Sequence, residues 1–297
     1  MVLGYDDAAG YATDDAHLGA VIGRVANRIG GATLELGGRV YHLAANEGAN
    51  SNHSGPDLWR HRLWRLVSAG PASVTLELDS PDGDQGFPGA VRARVTYEVV
   101  RGALRISYLA EADATTAINL TNHSYFNLNG QGSGSVLAHR VQVLADRYTE
   151  VDAGNVPTGR LLDVAGTPLD LREPHRLDEA AALFAREHGG FDHNFETRGF
   201  RPAEGRVGEV RRVASAWGDR SGLRMDVLCD LPGLQLYTAN YLDGERGKGG
   251  VALRPHDAVC FETQFFPDAP NHPAFAQDVF GPGHPFVSCT EYRFDGA

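Results

Sequence analysis

The stretch Val91-Arg92-Ala93-Arg94-Val95-Thr96-Tyr97-Glu98-Val99 alternates bulky or apolar side chains with polar ones. Successive side chains of a β-strand point to opposite faces, so this period of two predicts a strand with one buried and one solvated face. The same alternation resumes over Leu104 to Ala110, and Arg101-Gly102-Ala103 between the two runs predicts a hairpin turn. This part of the chain is therefore expected to form antiparallel sheet.

Alternation of the same kind runs over Val74 to Leu78 and over Leu223 to Leu231. Several such strands, separated by clusters of Gly, Asp and Pro, favour an all-β fold, an antiparallel β-sandwich. Apolar residues at helical spacing predict one helix from Leu177 to Arg186, inserted between strands. Since no linker, repeat or low-complexity tract interrupts the chain, residues 1–297 are expected to form a single domain.

Composition narrows the range of partners. The formal net charge of -11 argues against nucleic acid and anionic membranes, because both require clustered cations. Cys229, Cys260 and Cys289 are odd in number and widely spaced, which favours a reducing, cytoplasmic location and no structural zinc.

Lys248 is the only lysine and lies in a Gly-rich loop, so Schiff-base chemistry is not expected. No histidine spacing typical of a metal site occurs, and we expect neither metal nor cofactor.

The segment Asn119-Leu120-Thr121-Asn122-His123-Ser124-Tyr125-Phe126-Asn127-Leu128 sets an imidazole and several amides and hydroxyls among strand-forming residues. A strand with so many hydrogen-bonding groups is typical of the wall of a polar pocket. The alternative is an edge strand whose polar side chains face water. This segment alone does not decide between the two.

Three further segments set a charge or an amide beside bulky apolar residues. Arg28, in Val25-Ala26-Asn27-Arg28-Ile29, is suited to donate a fork of hydrogen bonds into a pocket or to form an ordinary salt bridge. Glu262 lies in an apolar run, where desolvation would raise its pKa toward the range of a general base unless an arginine pairs with it. Asp192, in Gly190-Phe191-Asp192-His193, has the same two interpretations.

Together these segments resemble the aldose 1-epimerase (mutarotase) family over nearly the whole chain. Six motifs occur in the family's order, and this makes the resemblance specific. The matching segments are Gly23 to Ile29, Asp82 to Gly89, Thr121 to Leu128, Phe191 to Phe195, Gln235 to Thr238, and Glu262 to Asn271.

The resemblance implies a large antiparallel β-sandwich, the galactose mutarotase-like supersandwich, with one or two short helices. It further implies an isomerase that interconverts the α and β anomers of neutral hexoses such as galactose and glucose, without a cofactor, as a monomer or homodimer. By the same resemblance His123 is the acid and Glu262 the base. The implied sugar contacts are Asn27, Arg28, His53, Tyr125, Asp192 and Gln235.

Two other functions stay open. A hexose-phosphate 1-epimerase would need several arginines around the phosphate, for which Arg24, Arg28 and Arg60 are the candidates. A non-catalytic carbohydrate-binding or sensor protein would need the sugar contacts but not the pair of Glu262 and His123.

The chain departs from the family in two places and raises one question of chemistry. It begins where family members are usually some tens of residues in, so the usual N-terminal strands are expected to be missing. Asn52-His53-Ser54-Gly55 stands where the family commonly has L-H-G-G, and serine tolerates positive φ less well than glycine.

For His123 to act as an acid near neutral pH, we expect a nearby carboxylate, Asp192 or Glu262, to favour its imidazolium form.

Overall fold

The computed structural model describes residues 1–186 and 189–296. The strands are β1 Val21–Ile22, β2 Arg28–Ile29, β3 Thr33–Leu36, β4 Arg39–His42, β5 Ser51–Asn52, β6 Arg65–Ala69, β7 Ser73–Ser80, β8 Val91–Val100, β9 Ala103–Ala112, β10 Thr116–Ala117, β11 Thr121–Asn122, β12 Tyr125–Phe126, β13 Arg140–Val143, β14 Ala145–Val151, β15 Pro157–Asp163, β16 His175–Arg176, β17 Asp192–Thr197, β18 Arg211–Trp217, β19 Arg224–Cys229, β20 Gly233–Tyr237, β21 Val259–Gln264, β22 Val279–Phe280 and β23 Phe286–Asp295.

Helices are short. Within the described residues the α-helix is α1, Ala8–Ala12, and the remaining helical turns are of the 3₁₀ type. These 3₁₀ turns are Gly30–Ala32, Trp59–His61, Asp84–Gly86, Leu177–Glu179, Ala181–Phe184, Lys248–Gly250 and Ala269–Asn271.

Two antiparallel sheets dominate the molecule, as the alternating sequence predicts. The larger has nine strands in the order β16-β13-β18-β19-β23-β9-β8-β7-β6, and the smaller has six in the order β12-β21-β20-β17-β14-β15. Strands β8 and β9 pair from Val91↔Ala112 to Val100↔Ala103, so the predicted hairpin is confirmed. Arg101 and Gly102 both adopt positive φ, which a two-residue turn between right-twisted strands requires.

The main core contains the inward side chains of both sheets, for example Val95 and Ile106 from the larger sheet and Leu236 and Phe261 from the smaller. Residues next to them in sequence, such as Glu262, therefore lie on the other face of the six-stranded sheet. That second face is buried as well, but largely by polar groups. The fold thus produces a polar, enclosed surface directly behind its hydrophobic core.

The helix predicted from Leu177 to Arg186 is wrong. The segment forms two 3₁₀ turns, and Ala180 between them has φ -80° and ψ 43°, outside the helical region. Neither turn has a side-chain cap hydrogen bond. A helix this short is costly to nucleate, so docking of Leu177 and Phe184 on the core decides the backbone instead.

The single strand expected over Asn119 to Leu128 is also wrong, because the segment changes partner midway. Strand β11 pairs with β1, and β12 pairs with β21 in the six-stranded sheet. His123 lies between them, with its backbone N–H donating to Ala20 O at 2.9 Å. The segment is buried throughout, so the interpretation as a water-facing edge strand is excluded.

The cysteines Cys229, Cys260 and Cys289 are free thiols. Among the described residues, no helix has both the length and the apolar character needed to cross a membrane. Residues 1–186 and 189–296 contain no cluster of His, Cys, Asp and Glu suited to hold a metal ion.

Asp278 provides a test of the packing. It lies next to β22 and is fully buried, and neither carboxyl oxygen has a hydrogen-bond partner among residues 1–186 and 189–296. Burial raises its pKa from 3.8 to about 8. The unfolded chain therefore loses this proton near pH 4 and the folded protein near pH 8, so between these values the folded state binds one proton more. The free energy of unfolding must then fall as pH rises through this window, by ~1.4 kcal/mol per unit.

We expect Asp278→Asn to remove this dependence and to be the more stable protein at pH 8, because a neutral amide has no proton to lose. Urea unfolding at pH 5, 6, 7 and 8 measures the effect, with Asp295→Asn, an exposed carboxyl on β23, as the control. A constant difference between Asp278→Asn and the parent protein across this range would contradict the assignment.

Candidate active site

A cavity of about 680 Å³ opens over the polar face of the six-stranded sheet. Its floor comes from β12, β17, β20 and β21, and its walls come from loops near the start of the chain. All eight site residues expected from the sequence line it, namely Asn27, Arg28, His53, His123, Tyr125, Asp192, Gln235 and Glu262. The structure thus brings together residues that are up to 235 positions apart in the chain, from Asn27 to Glu262.

Glu262 and His123 face each other in the floor of this cavity. His123 Nε2 lies 3.6 Å from Glu262 Oε1, and both side chains are buried. They are too close for a sugar ring to fit between them. A ring can only lie across the pair, with its anomeric carbon near both groups.

Burial governs the protonation of this pair. It raises the pKa of Glu262 well above its usual value, and the negative charge of Asp192 adds to this, while Arg28 opposes it. Burial also lowers the pKa of His123 to about 4. The expectation that a nearby carboxylate favours the imidazolium is therefore wrong for the empty site, because desolvation by burial is the dominant influence on the pKa of His123. Burial therefore favours the uncharged form of each group in the empty site, a protonated Glu262 and a neutral His123.

Two other rings stack against the imidazole of His123. Tyr125 stacks on it with a centroid distance of 4.9 Å, and His17 stacks with a centroid distance of 5.5 Å. The hydroxyl of Tyr125 donates to Ala16 O at 2.7 Å. Tyr125 therefore offers the cavity its ring rather than its hydroxyl, and it fixes the loop that carries His17.

Arg28 is both a cavity residue and the member of a salt bridge, so its two sequence interpretations hold together. Its Nη2 donates to Glu47 Oε1 at 2.8 Å, and its Nε donates to the other carboxylate oxygen. Burial alone would lower the pKa of Arg28. The hydrogen bond to Glu47 and the nearby carboxylate of Asp192 outweigh burial, so the pKa of Arg28 is raised. The guanidinium stays charged, and its remaining N–H groups are directed by Glu47.

His53 is tied to Asn27 through the backbone in both directions. The N–H of Asn27 donates to His53 Nδ1 at 3.1 Å, and the N–H of His53 donates to Asn27 O at 3.0 Å. Burial keeps the pKa of His53 well below its usual value, so the ring is neutral. Because Nδ1 accepts, the single ring proton must be on Nε2, which makes His53 a donor to the cavity.

Ser54, the departure from the family pattern, does adopt the left-handed backbone, with φ 74°. Its hydroxyl accepts from Val25 N at 2.6 Å and donates to Val25 O at 3.0 Å. These two hydrogen bonds offset the cost of positive φ, so the loop that carries His53 is held in place without a glycine at this position.

Asp192 and Gln235 come from neighbouring strands β17 and β20. Gln235 Nε2 donates to Asp192 Oδ1 at 2.7 Å. Gln235 Oε1 is buried and has no hydrogen-bond partner in the part of the chain that the structure describes. The two residues therefore leave acceptor oxygens at the cavity, which suits the hydroxyl groups of a neutral ligand.

The described residues that line the cavity include four carboxyl groups, Asp15, Glu47, Asp192 and Glu262, and one permanent cation, Arg28. Arg24 turns away from the cavity and donates to carbonyl groups of the Asp82 to Gly89 loop, including Pro88 O and Gly89 O. Arg60 lies outside the lining and pairs with Asp15 at 3.2 Å. The three arginines considered from the sequence do not converge.

His17 and Glu47 are lining residues that sequence reasoning missed. Glu47 lies in an exposed turn before β5, and His17 lies in a loop with a positive φ of 62°. Neither has an apolar surrounding that signals a buried charge. The sequence offered only a weaker signal. An ionisable side chain lies in a turn close to a recognised motif in both Ala16-His17-Leu18-Gly19 and Asn46-Glu47-Gly48.

The comparisons with known proteins agree with this geometry. The family model for aldose 1-epimerase matches residues 1–293. The chain is 41% identical over 300 residues to the galactose mutarotase of Bos taurus, covering 100% of this chain and 84% of that protein. The chain belongs to the aldose 1-epimerase family.

Two further relatives support the family assignment. The aldose 1-epimerase of Escherichia coli is 36% identical over 301 residues, covering 99% of this chain and 84% of that protein. The crystal structure of an aldose epimerase homologue from C. elegans superposes with a TM-score of 0.90 at 31% identity, covering 100% of this chain and 88% of that one. The aldose 1-epimerase family comprises isomerases, and its sandwich fold is the one seen here.

Glu47 gives a test of how Arg28 is held. We expect Glu47→Gln to lower kcat/KM for galactose about 3- to 10-fold, because loss of the carboxylate frees the guanidinium to adopt other orientations. Glu150→Gln is the matched control, since Glu150 forms a similar two-point pair with Arg160 outside the cavity. Unchanged mutarotation kinetics in Glu47→Gln would show that Arg28 does not need this partner.

Proposed function

We propose that this protein is an aldose 1-epimerase that interconverts the α and β anomers of neutral hexoses such as galactose and glucose. The observation that carries the proposal is the contact between His123 Nε2 and Glu262 Oε1 at 3.6 Å, at the floor of a sugar-sized cavity. One group can give a proton while the other takes one, and both can act on atoms bonded to the same carbon.

The reaction needs two proton transfers around the anomeric carbon. The base removes the proton of the C1 hydroxyl while the acid delivers a proton to the ring oxygen, and the C1–O5 bond breaks to leave an aldehyde. Rotation about C1–C2 presents the other face of the carbonyl group. Reclosure then runs both transfers backwards, so acid and base recover their protons and nothing is consumed.

The proton shared by Glu262 and His123 fits this cycle. Burial favours the form with the proton on Glu262, and movement of that proton to His123 gives a carboxylate and an imidazolium, which are the base and the acid. This movement does not change the net charge of the buried pair. A bound sugar replaces water in the cavity with hydroxyl groups that stabilise both charges, so binding favours the reactive form.

The remaining lining residues are suited to hold the ring. We assign Asn27, Arg28 and His53 as contacts from the loop side of the cavity, where Arg28 and the Nε2–H of His53 donate. Asp192 and Gln235 are assigned as contacts from the sheet side, where they accept. Tyr125 is assigned to pack against His123 and the sugar. Fixing the ring in this way aligns C1 with both proton-transferring groups.

The alternatives fit the cavity less well. A phosphate dianion would meet the carboxylates of Asp15, Glu47 and Asp192 and one arginine, so a hexose-phosphate 1-epimerase is disfavoured. A carbohydrate-binding or sensor protein has no use for a carboxyl and an imidazole in contact and cut off from solvent, since burying such a pair costs stability. The acid and base pair therefore favours an enzyme.

We also infer one domain over residues 1–297, supported by a core that both large sheets share. A cytoplasmic location is proposed from the three free cysteines. Assembly as a monomer or homodimer stays a prediction.

The catalytic assignment is tested by Glu262→Gln and His123→Asn. We expect each to lower kcat by at least about 10²-fold, because either change removes one of two coupled proton transfers. Polarimetry of freshly dissolved α-D-glucose and α-D-galactose measures the rate. Glu179→Gln and His175→Asn are matched controls, since these residues form an exposed His–Glu contact at 2.8 Å. Turnover near that of the parent protein in Glu262→Gln or His123→Asn would remove that residue from the mechanism.

Substrate charge distinguishes the two epimerase assignments. We expect kcat/KM for glucose to exceed that for glucose 6-phosphate by tenfold or more, because a repulsion of only ~1.4 kcal/mol between phosphate and the cavity carboxylates gives that factor. The comparison is made at low and moderate ionic strength, since salt screens such a repulsion. Preference for the phosphate, weakening as salt is added, would support the hexose-phosphate alternative.

A further inference from the structure

The imidazole of His123 has two polar edges, and a single strand supplies a partner to each. Glu262 Oε1 is 3.6 Å from Nε2, and Cys260 Sγ is 3.6 Å from Nδ1. Cys260 and Glu262 are two residues apart on β21, so their side chains leave the same face of the six-stranded sheet. The thiol is fully buried.

The stacked rings of His17 and Tyr125 restrict His123 further. Both stack against the imidazole, with interplanar angles of 21° and 25°. Cys260 is the side-chain hydrogen-bond partner of Nδ1 within the described residues.

We propose that Cys260 is a positioning residue for His123, whose sulfur accepts the Nδ1–H of the imidazole and so keeps Nε2 as the nitrogen that gives and takes the proton. The proposal rests on the acid role assigned to His123. A neutral imidazole carries one N–H, and if that N–H were on Nε2, the nitrogen facing the sugar could not accept a proton. With the N–H fixed on Nδ1, Nε2 is empty in the neutral ring and protonated in the acid.

The choice of sulfur also bears on how readily His123 gives up its proton. A carboxylate or carbonyl group on Nδ1 would stabilise the imidazolium and make it a weaker acid, as happens where such a group orients a catalytic base. Sulfur is a weak acceptor, so it sets the orientation and the tautomer with little stabilisation of the charge. Burial raises the pKa of the Cys260 thiol well above its usual value, so the thiol itself stays protonated and takes no part in the proton transfers.

Three variants test the proposal by activity. Cys260→Ala removes the acceptor, and we expect kcat to fall about 2- to 10-fold with little change in KM, the size expected for one weak hydrogen bond. Cys260→Ser restores an acceptor and should recover most of the lost rate. Cys229→Ala is the matched control, because Cys229 is also a fully buried thiol but contacts Leu231 O instead of the site. Equal losses in Cys260→Ala and Cys260→Ser would overturn the proposal.

The tautomer is read directly by ¹⁵N NMR of protein labelled at histidine. The His123 signals are identified by their absence in His123→Asn. We expect the parent protein to carry the ring proton on Nδ1, and Cys260→Ala to shift the tautomer toward Nε2. A ring proton on Nε2 in the parent protein, or an unchanged tautomer in Cys260→Ala, would refute the role of Cys260. Because this measurement needs no substrate, it separates failure of this proposal from failure of the proposed epimerase activity.

Discussion

The site depends on one constraint, namely that strand β21 must present opposite chemistry on its two faces. Val259 and Phe261 pack in the core between the sheets, so Cys260 and Glu262 are forced onto the other face. The core side is apolar and fixes the strand, and the polar side is then buried by loops rather than solvated. A carboxyl held in this way cannot relax toward water. Its raised pKa follows from the packing of its neighbours in sequence.

The same alternation in β17 and β20 completes the floor. Phe195 and Leu234 point into the core, while Asp192 and Gln235 point into the cavity, and pairing between the strands sets Gln235 opposite Glu262. Backbone hydrogen bonds therefore fix the spacing of the polar groups before any ligand binds. Such rigidity lowers the cost of orienting a sugar, and it allows the loops above the sheet to vary while the floor stays fixed.

Local patterns in the sequence predicted the elements whose structure is decided locally. The hairpin of β8 and β9 needs only alternation and a short turn, and it formed as expected. The segment Leu177 to Arg186 has helical spacing, but its docking on a distant part of the core determines its backbone conformation. The ten residues of the segment do not reveal this docking. Which residues share the cavity could not be worked out from spacing either, and was expected only through the resemblance to a family. His17 and Glu47 were not identified because their roles depend on contacts with other site residues, His17 with His123 and Glu47 with Arg28 19 positions away, which local patterns do not reveal.

Burial explains why the pair of Glu262 and His123 is suited to work over a broad range of pH. Adding a second proton would charge His123 in a site that lowers its pKa to about 4. Removing the shared proton would leave an unbalanced carboxylate where desolvation raises the pKa of Glu262 well above its usual value. Both changes create net charge in a dry environment, and desolvation opposes both. The form of the pair with one proton is therefore favoured over the forms with two protons and with none. Within this form the proton can move from carboxyl to imidazole without changing the net charge of the site.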